Sequence, residues 1–323
     1  LHSGLAARPM MKAKVMRIVF MGTPDFALPS LTGLIEAGHD IPAVVTVPDK
    51  PAGRGRHLRP SAVKECALGL HLALLQPGEM RDPAFIQELR GLAADLFVVV
   101  AFRILPPEVF SLPRIGTVNL HASLLPRYRG AAPINWAIIN GEKETGATTF
   151  FIDEKVDTGS WLLQCRVPIG EEMTAGELHD LLAEEGGELL FRTVAGLDAG
   201  TLVPKPQEGA ATRAPKLTRE MGLIDWNRPT GALHNLVRGL SPYPAAWTRW
   251  RGRTLKIIKA RPGPAGKHDK PGTLIYAGGK CPLLAATGDG ALELVTLQPE
   301  GGKALSAAEF LRGHSLNPGE IIG

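Results

Sequence analysis

The 323-residue sequence predicts an α/β fold in two domains, a mainly parallel sheet covered by helices followed by a small β-barrel. Three observations predict it. Over the first two-thirds, short apolar runs alternate with helical patterns, which implies right-handed crossovers and a sheet covered on both faces. Residues 200–215 are rich in Gly, Pro, Ala and Thr and read as a linker. Beyond them, short strand-like runs follow one another at close spacing, the pattern of a small barrel. A chain of this length with 44% hydrophobic residues can bury two ordinary cores. The expected division is therefore 15–199, a linker over 200–215, and 216–323.

The first strand spans 15–21 and ends at Gly22, and a helical pattern follows over 25–37. Further strands are expected at 41–47, 71–75, 96–101 and 117–120, with helices at 61–67, 83–90 and 132–140. Two more strands, 146–152 and 161–167, flank a polar turn centred on Asp157, and a long helix over 175–197 closes the domain. After the linker come a helix at 229–240, strands at 246–250, 254–259, 273–276, 283–286 and 292–297, and a late helix at 306–312.

Composition narrows the function classes. No apolar run approaches the roughly 20 residues that span a bilayer, so no membrane association is expected. Residues 1–14 lack an apolar core of the secretory type and read as an upstream remnant, with translation starting at Met10, Met11 or Met16. Cys66, Cys165 and Cys281 lie far apart and away from metal-ligand spacings, as reduced thiols of a cytoplasmic protein would. Residues 213–280 hold fourteen Lys and Arg against three acids, inside a chain whose formal charge is only +4. Such a concentrated positive field favours a polyanion over simple solvation.

The sharpest chemical feature is Asn119-Leu-His121 at the end of an expected strand. Residues i and i+2 share a face, and the carboxyl ends of strands form the ligand crevice of an open α/β sheet. An amide beside an imidazole can hold a carbonyl oxygen while a proton moves, as acyl transfer to an amine requires. The same spacing also serves merely to end a strand and cap a turn. Asp157, in Val156-Asp-Thr-Gly159, is by itself a turn former and gains a chemical role only beside His121. Gly22-Thr-Pro-Asp-Phe-Ala27 lacks both the dinucleotide glycines and the P-loop lysine. Residues 48–60 form a long Gly- and Pro-broken loop carrying Lys50, Arg54, Arg56 and Arg59, suited to phosphates.

Together these segments resemble the folate-dependent formyltransferases, from about Met16 to the C-terminus. The motifs that carry the resemblance are the turn at Gly22, Pro48-Asp-Lys-Pro-Ala-Gly-Arg-Gly55, and Asn119-Leu-His-Ala-Ser-Leu-Leu-Pro126 with its following Arg-Tyr-Arg-Gly130. Val156-Asp-Thr-Gly159, Ser241-Pro-Tyr-Pro-Ala-Ala-Trp247 and Ala286-Thr-Gly-Asp-Gly290 add to it. The basic loop and the second domain are similar to the branch that formylates methionyl initiator tRNA for translation initiation.

The resemblance implies a Rossmann-like catalytic domain, an OB-like tRNA-binding barrel, 10-formyltetrahydrofolate as co-substrate, and no metal. It implies catalytic roles for Asn119, His121 and Asp157: Asn119 and His121 on the developing oxyanion, His121 also moving the proton, and Asp157 orienting His121 directly or through a water. Ser123, Leu124, Leu125 and Pro126 contribute to the folate site, and Lys50, Arg54 and Arg56 to the tRNA contact, in a monomer. Phe102-Arg103 departs from that branch and is similar to the glycinamide ribonucleotide enzymes, in a stretch expected to line the pterin pocket. The competing readings are a formyltransferase for glycinamide ribonucleotide or an amino sugar, and a non-catalytic RNA-binding relative.

Overall fold

The computed structural model describes residues 15–52, 57–265, 270–276, 278–279, 281–317 and 319–323, with residues 50–52, 57, 58 and 265 described by backbone alone. Residues 1–14, Arg54 and Arg56 lie outside the described residues, as does the side chain of Lys50. Contacts divide the chain into two compact units. One comprises the residues up to Pro126 with Ala147–Cys165 and Leu182–Ala210, and the other Arg127–Gly146, Arg166–Leu181 and Ala211–Gly323.

In the first half of the chain the elements run β1 (Arg17–Gly22), α1 (Leu28–Glu36), β2 (Asp40–Val45), β3 (Lys50–Ala52), β4 (His57–Arg59), α2 (Ala62–Gly69), β5 (Leu74–Leu75), α3 (Pro83–Gly91), β6 (Leu96–Val100), α4 (Pro107–Phe110) and β7 (Gly116–His121). There follow β8 (Arg129–Gly130), α5 (Pro133–Ile139), β9 (Glu144–Phe151), β10 (Trp161–Pro168) and α6 (Ala175–Asp198). One seven-stranded sheet has the order β10-β9-β7-β6-β1-β2-β5. Its β5, β2, β1, β6 and β7 are parallel, and β9 is antiparallel to β7. The strand order reverses beside β1, so the crevice of a doubly wound sheet opens at the carboxyl ends of β1, β6 and β7.

Both faces of this sheet are covered, as near-continuous apolar strands require. Val19 and Met21 of β1 join Phe85, Leu89, Phe97, Val99 and Val109 in one core cluster. Ile18 and Phe20, which alternate with them, are equally buried on the other face. Position 22, the last of β1, is held to glycine because an added Cβ would meet Ala27 Cβ and Phe20 Cε1 at 2.9 Å. Position 186, in the middle of α6, is held to glycine in the same way, since an added Cβ would sit 2.9 Å from Leu120 of β7. Helical glycines cost backbone entropy, and here that cost brings the helix down onto the strand that ends in His121. Ser61 caps α2 by accepting from Lys64 N at 3.1 Å.

The second unit contains β8 and α5 together with β11 (Arg213–Ala214), α7 (Thr230–Gly239), β12 (Ala246–Trp250), β13 (Arg253–Ala265), β14 (Leu274–Ile275), β15 (Leu284–Ala286), β16 (Gly290–Pro299), β17 (Leu305–Ser306) and α8 (Ala307–Gly313). Its six-stranded sheet follows the path β12-β13-β16-β15-β14, with β17 on β16, as an antiparallel half-barrel. Leu233, Leu236 and Val237 of α7 fill it with Trp250, Ile257, Leu294, Leu297 and Phe310. Strand β13 continues past the expected end at Lys259 through Pro262-Gly-Pro264. Register shifts along β13 absorb residues that a regular ladder would refuse.

Two departures from the sequence expectation concern loops. Within 48–60, the backbone of β3 and β4 pairs as an antiparallel hairpin. Within 200–215, Lys205 exchanges backbone hydrogen bonds with Trp161 at 2.8 and 2.9 Å, and Arg213–Ala214 pairs in parallel with Arg129–Gly130. Neither pairing rests on local apolar alternation, so neither is legible as a strand in one dimension.

Candidate active site

The centre of the site is the carboxyl end of β7. Asn119 lies opposite Val99 of β6 and Phe150 of β9, and His121 lies opposite Thr148 of β9. The period-two backbone therefore turns both polar side chains to one face of the sheet. His121 is buried at 7% exposure, whereas Asn119 is half-buried. An amide and an imidazole are thus held at the crevice rim by a strand that lies between the wholly apolar β6 and the threonine-bearing β9.

Asp157 is brought to them from the loop between β9 and β10. Its Oδ2 lies 3.8 Å from His121 Nδ1, and the two side chains are 10% and 8% exposed. The separation is that of an ion pair and is long for a direct hydrogen bond. Asp157 has φ +57°, a left-handed conformation that aspartate tolerates better than most residues. The loop is fixed at three points. Asp153 Oδ1 accepts from Thr158 Oγ1 at 2.6 Å and from Lys155 N at 3.1 Å. Gly159 passes so close to β9 that an added Cβ would stand 1.7 Å from Phe151 O. Gln207 Nε2 donates to the backbone carbonyls of Asp157 and Gly159, each at 2.9 Å.

The turn after His121 carries the four residues expected at the folate. Ser123 and Leu125 are buried, while Leu124 and Pro126 are half-buried and offer the accessible surface. Thr148 braces this turn from β9: its hydroxyl donates to Ser123 O at 2.6 Å and accepts from Leu125 N at 3.1 Å. Gln164 of β10 adds bonds from Nε2 to Leu125 O and Thr148 Oγ1, both at 3.0 Å. Sequence alone does not single out Thr148, Gln164 or Gln207. Their polar side chains interrupt apolar strands or a linker, but a lone interruption does not say what it touches.

Nearby, Arg103 donates to the carbonyls of Pro77 at 2.8 Å and Gly78 at 2.9 Å, with its guanidinium 5.4 Å over the Phe102 ring. Burial lowers its pKa from the ordinary arginine value. In the Phe102-Arg103 departure, the cation is therefore spent on holding the 77–78 turn.

The second unit carries an open cleft of about 520 Å³ edged by Lys216, Arg219, Lys256, Tyr243 and Trp247. Tyr243 is 81% exposed, and Arg219 lies 5.4 Å over the Trp247 ring. Not all of the basic segment is available to a polyanion. Arg238 is 5% exposed and donates to the carbonyls of Gly170 and Met173, so it belongs to the core. Among the described residues, no helix is long and apolar enough to cross a membrane.

The formyl transferase family model matches residues 16–194, and the model of the formyl transferase C-terminal domain matches residues 216–315. Among curated relatives, a methionyl-tRNA formyltransferase of Solibacter usitatus is 48% identical over 310 residues, 95% of this chain and 99% of that one. One from Pelotomaculum thermopropionicum is 47% identical over the same shares. Among solved structures, HypX from Aquifex aeolicus in complex with tetrahydrofolic acid superposes with a TM-score of 0.66 at 21% identity, covering 94% of this chain. This chain spans about half of HypX, 49% of its length. An N-formyltransferase from Helicobacter canadensis gives a TM-score of 0.64 at 19% identity, covering 87% of this chain and 99% of that one. At such identities the structures speak for the fold.

Proposed function

This chain belongs to the formyl transferase family, among the methionyl-tRNA formyltransferases, and we propose that Asn119, His121 and Asp157 perform its chemistry. The reaction moves the formyl group of 10-formyltetrahydrofolate to the α-amine of methionyl initiator tRNA, supplying formylmethionyl-tRNA for translation initiation. The other acceptors considered from sequence, glycinamide ribonucleotide and amino sugars, are not favoured by relatives matched over nearly their whole length.

The observation that carries the mechanism is the meeting of three groups at one strand end: an amide donor, an imidazole two residues on, and a carboxylate 3.8 Å from that imidazole. Attack of the amine on the formyl carbon puts negative charge on its oxygen. Asn119 donates a hydrogen bond to that oxygen and His121 a second; as the oxyanion collapses, the bond from the formyl carbon to the folate N10 breaks, and His121 relays the proton lost by the amine to that departing nitrogen. Asp157 holds the imidazole ring in its working orientation and offsets its positive charge. Contacts that are loose in the free enzyme tighten once substrates bind, which accommodates the 3.8 Å separation. Leu124 and Pro126 supply an apolar wall for the folate beside this donor pair, and the buried Ser123 and Leu125 contribute through the backbone.

We assign 15–199 to catalysis, 200–215 to the linker and 216–323 to tRNA binding. The cleft edged by Lys216, Arg219 and Lys256 supports the last assignment, because it joins positive charge to the exposed Tyr243 ring and the half-buried Trp247. Lys50, Arg54 and Arg56 act on the acceptor stem, and the enzyme works as a cytoplasmic monomer. The test is transfer of labelled formyl to initiator Met-tRNA, elongator Met-tRNA and glycinamide ribonucleotide offered separately. Label is expected on initiator methionine alone, with a loss of about 100–1,000-fold in kcat for Asn119→Ala or His121→Ala. Full activity in either variant would overturn the residue assignment, and label on glycinamide ribonucleotide the acceptor.

A further inference from the structure

We infer that Gln207 is a positioning residue for the reaction, holding the Asp157 carboxylate at His121 through the backbone of the Asp157 loop. The inference rests on the catalytic reading of Asp157 given above. Asp157 sits in a left-handed conformation at φ +57°, on a loop that leaves β9 at Phe151 and returns at Trp161. A left-handed non-glycine residue persists only where its surroundings over-determine it.

Those surroundings divide the labour. The loop's entry is tied by Asp153, whose carboxylate accepts from Lys155 N and Thr158 Oγ1. Its exit is tied to β9, since Phe151 N donates to Ser160 O at 3.0 Å and Gly159 lies against Phe151 O. Between these ties, the Gln207 amide nitrogen spans the apex with two 2.9 Å bonds, to the carbonyl of Asp157 and to that of Gly159. An amide NH₂ has two donors, and both are directed at this one loop. Rotation of the Asp157 peptide, the motion that would swing its carboxylate off His121, breaks the first of them.

Gln207 is itself anchored. Two residues earlier, Lys205 exchanges two backbone hydrogen bonds with Trp161, and its ammonium lies 5.0 Å over the Trp161 ring. The glutamine thus arrives from a segment docked on the strand that follows the loop. Its effect is one of aim: an imidazole–carboxylate pair already at 3.8 Å has little tolerance, and a displacement of about 1 Å costs on the order of 100-fold in rate.

The experiment uses the full chain in formyl transfer from 10-formyltetrahydrofolate to initiator Met-tRNA, with kcat and KM determined for both substrates. Four variants are compared: Gln207→Ala, the isosteric Gln207→Glu, Asp157→Asn, and Asp157→Asn with Gln207→Ala. The expected result is a kcat loss of roughly 10–100-fold for Gln207→Ala with both KM values within about twofold of the parent. Gln207→Glu keeps the volume but sets a carboxylate against two carbonyls, so it should lose at least as much. In the Asp157→Asn background, Gln207→Ala should cost nothing further, because the carboxylate it aims is gone. Parental kcat in Gln207→Ala and Gln207→Glu overturns the inference and leaves the reading of Asp157 standing. So does a loss that simply multiplies in the double variant, or one confined to the KM for tRNA. Parental kcat in Asp157→Asn overturns that reading and this inference together.

Discussion

Replacing Thr148 by valine removes one hydroxyl and almost no volume, and the structure gives the cost. That hydroxyl donates to Ser123 O at 2.6 Å and accepts from Leu125 N at 3.1 Å, in a side chain with 0% exposure. Both backbone groups lose their Thr148 partner with no access to bulk water, and each such loss costs about 1–3 kcal/mol. Gln164 Nε2 loses its own bond to Thr148 Oγ1 but keeps the one to Leu125 O, and relaxation of the turn about that remaining bond holds the sum to about 2–4 kcal/mol. A unit of this size shifts its melting temperature by about 2–4 °C per kcal/mol, so Thr148→Val should melt roughly 5–15 °C lower. Activity should fall with stability, by about tenfold or more, because the 123–126 turn follows directly on His121 and a small displacement there is felt at the reacting atoms. Thr148→Ser, which keeps the hydroxyl, should retain most of the rate. The assays are thermal unfolding followed by circular dichroism and steady-state formyl transfer below the transition. A Thr148→Val protein that melts within about 1 °C of the parent and turns over at the parental rate would refute the argument that these hydrogen bonds support the site.

Gly159→Ala forces a Cβ to within 1.7 Å of Phe151 O, so the Asp157 loop must leave β9; kcat should drop at least 100-fold while far-ultraviolet circular dichroism stays native, and an active variant would show that the loop position is immaterial. His234 is 7% exposed, and burial, only partly opposed by Glu172 with its Oε1 3.3 Å away, lowers its pKa below the ordinary 6.5. Its neutral form therefore stabilises the fold fully above about pH 6.5, and that contribution is lost as pH falls toward the lowered value. Melting temperature should decline between pH 7 and 5 more steeply in the parent than in His234→Gln, and equal slopes would remove His234 from the account. Lys256→Ala should weaken tRNA binding and flatten the dependence of log K on log salt by about 0.9, whereas an unchanged slope would place the phosphates elsewhere.

What the sequence determined by itself was whatever depends on residues close together in the chain. Apolar runs of strand length and 3.6-residue periodicity located β1, β2, β6, β7 and α6 within a few residues, and the pairing of Asn119 with His121 follows from the two-residue repeat of a strand. Asn-x-His was legible as a candidate because an amide beside an imidazole suits acyl transfer, whereas Val-Asp-Thr-Gly stood out only through the family resemblance.

Tertiary structure alone decided that Asp157 reaches His121, since a carboxylate on a surface turn and one beside an imidazole have the same one-dimensional signature. It also decided the roles of Thr148, Gln164 and Gln207, whose partners sit 23, 39 and 50 residues away. A single polar residue has no period, so its hydrogen bonds become known only when the sheet has set strand against strand. Arg238 makes the same point in reverse. Composition counted it with the cations that face a polyanion, and folding buried it against two carbonyls, because its charge and long stem satisfy a helix packed over a half-barrel as readily as they would a phosphate.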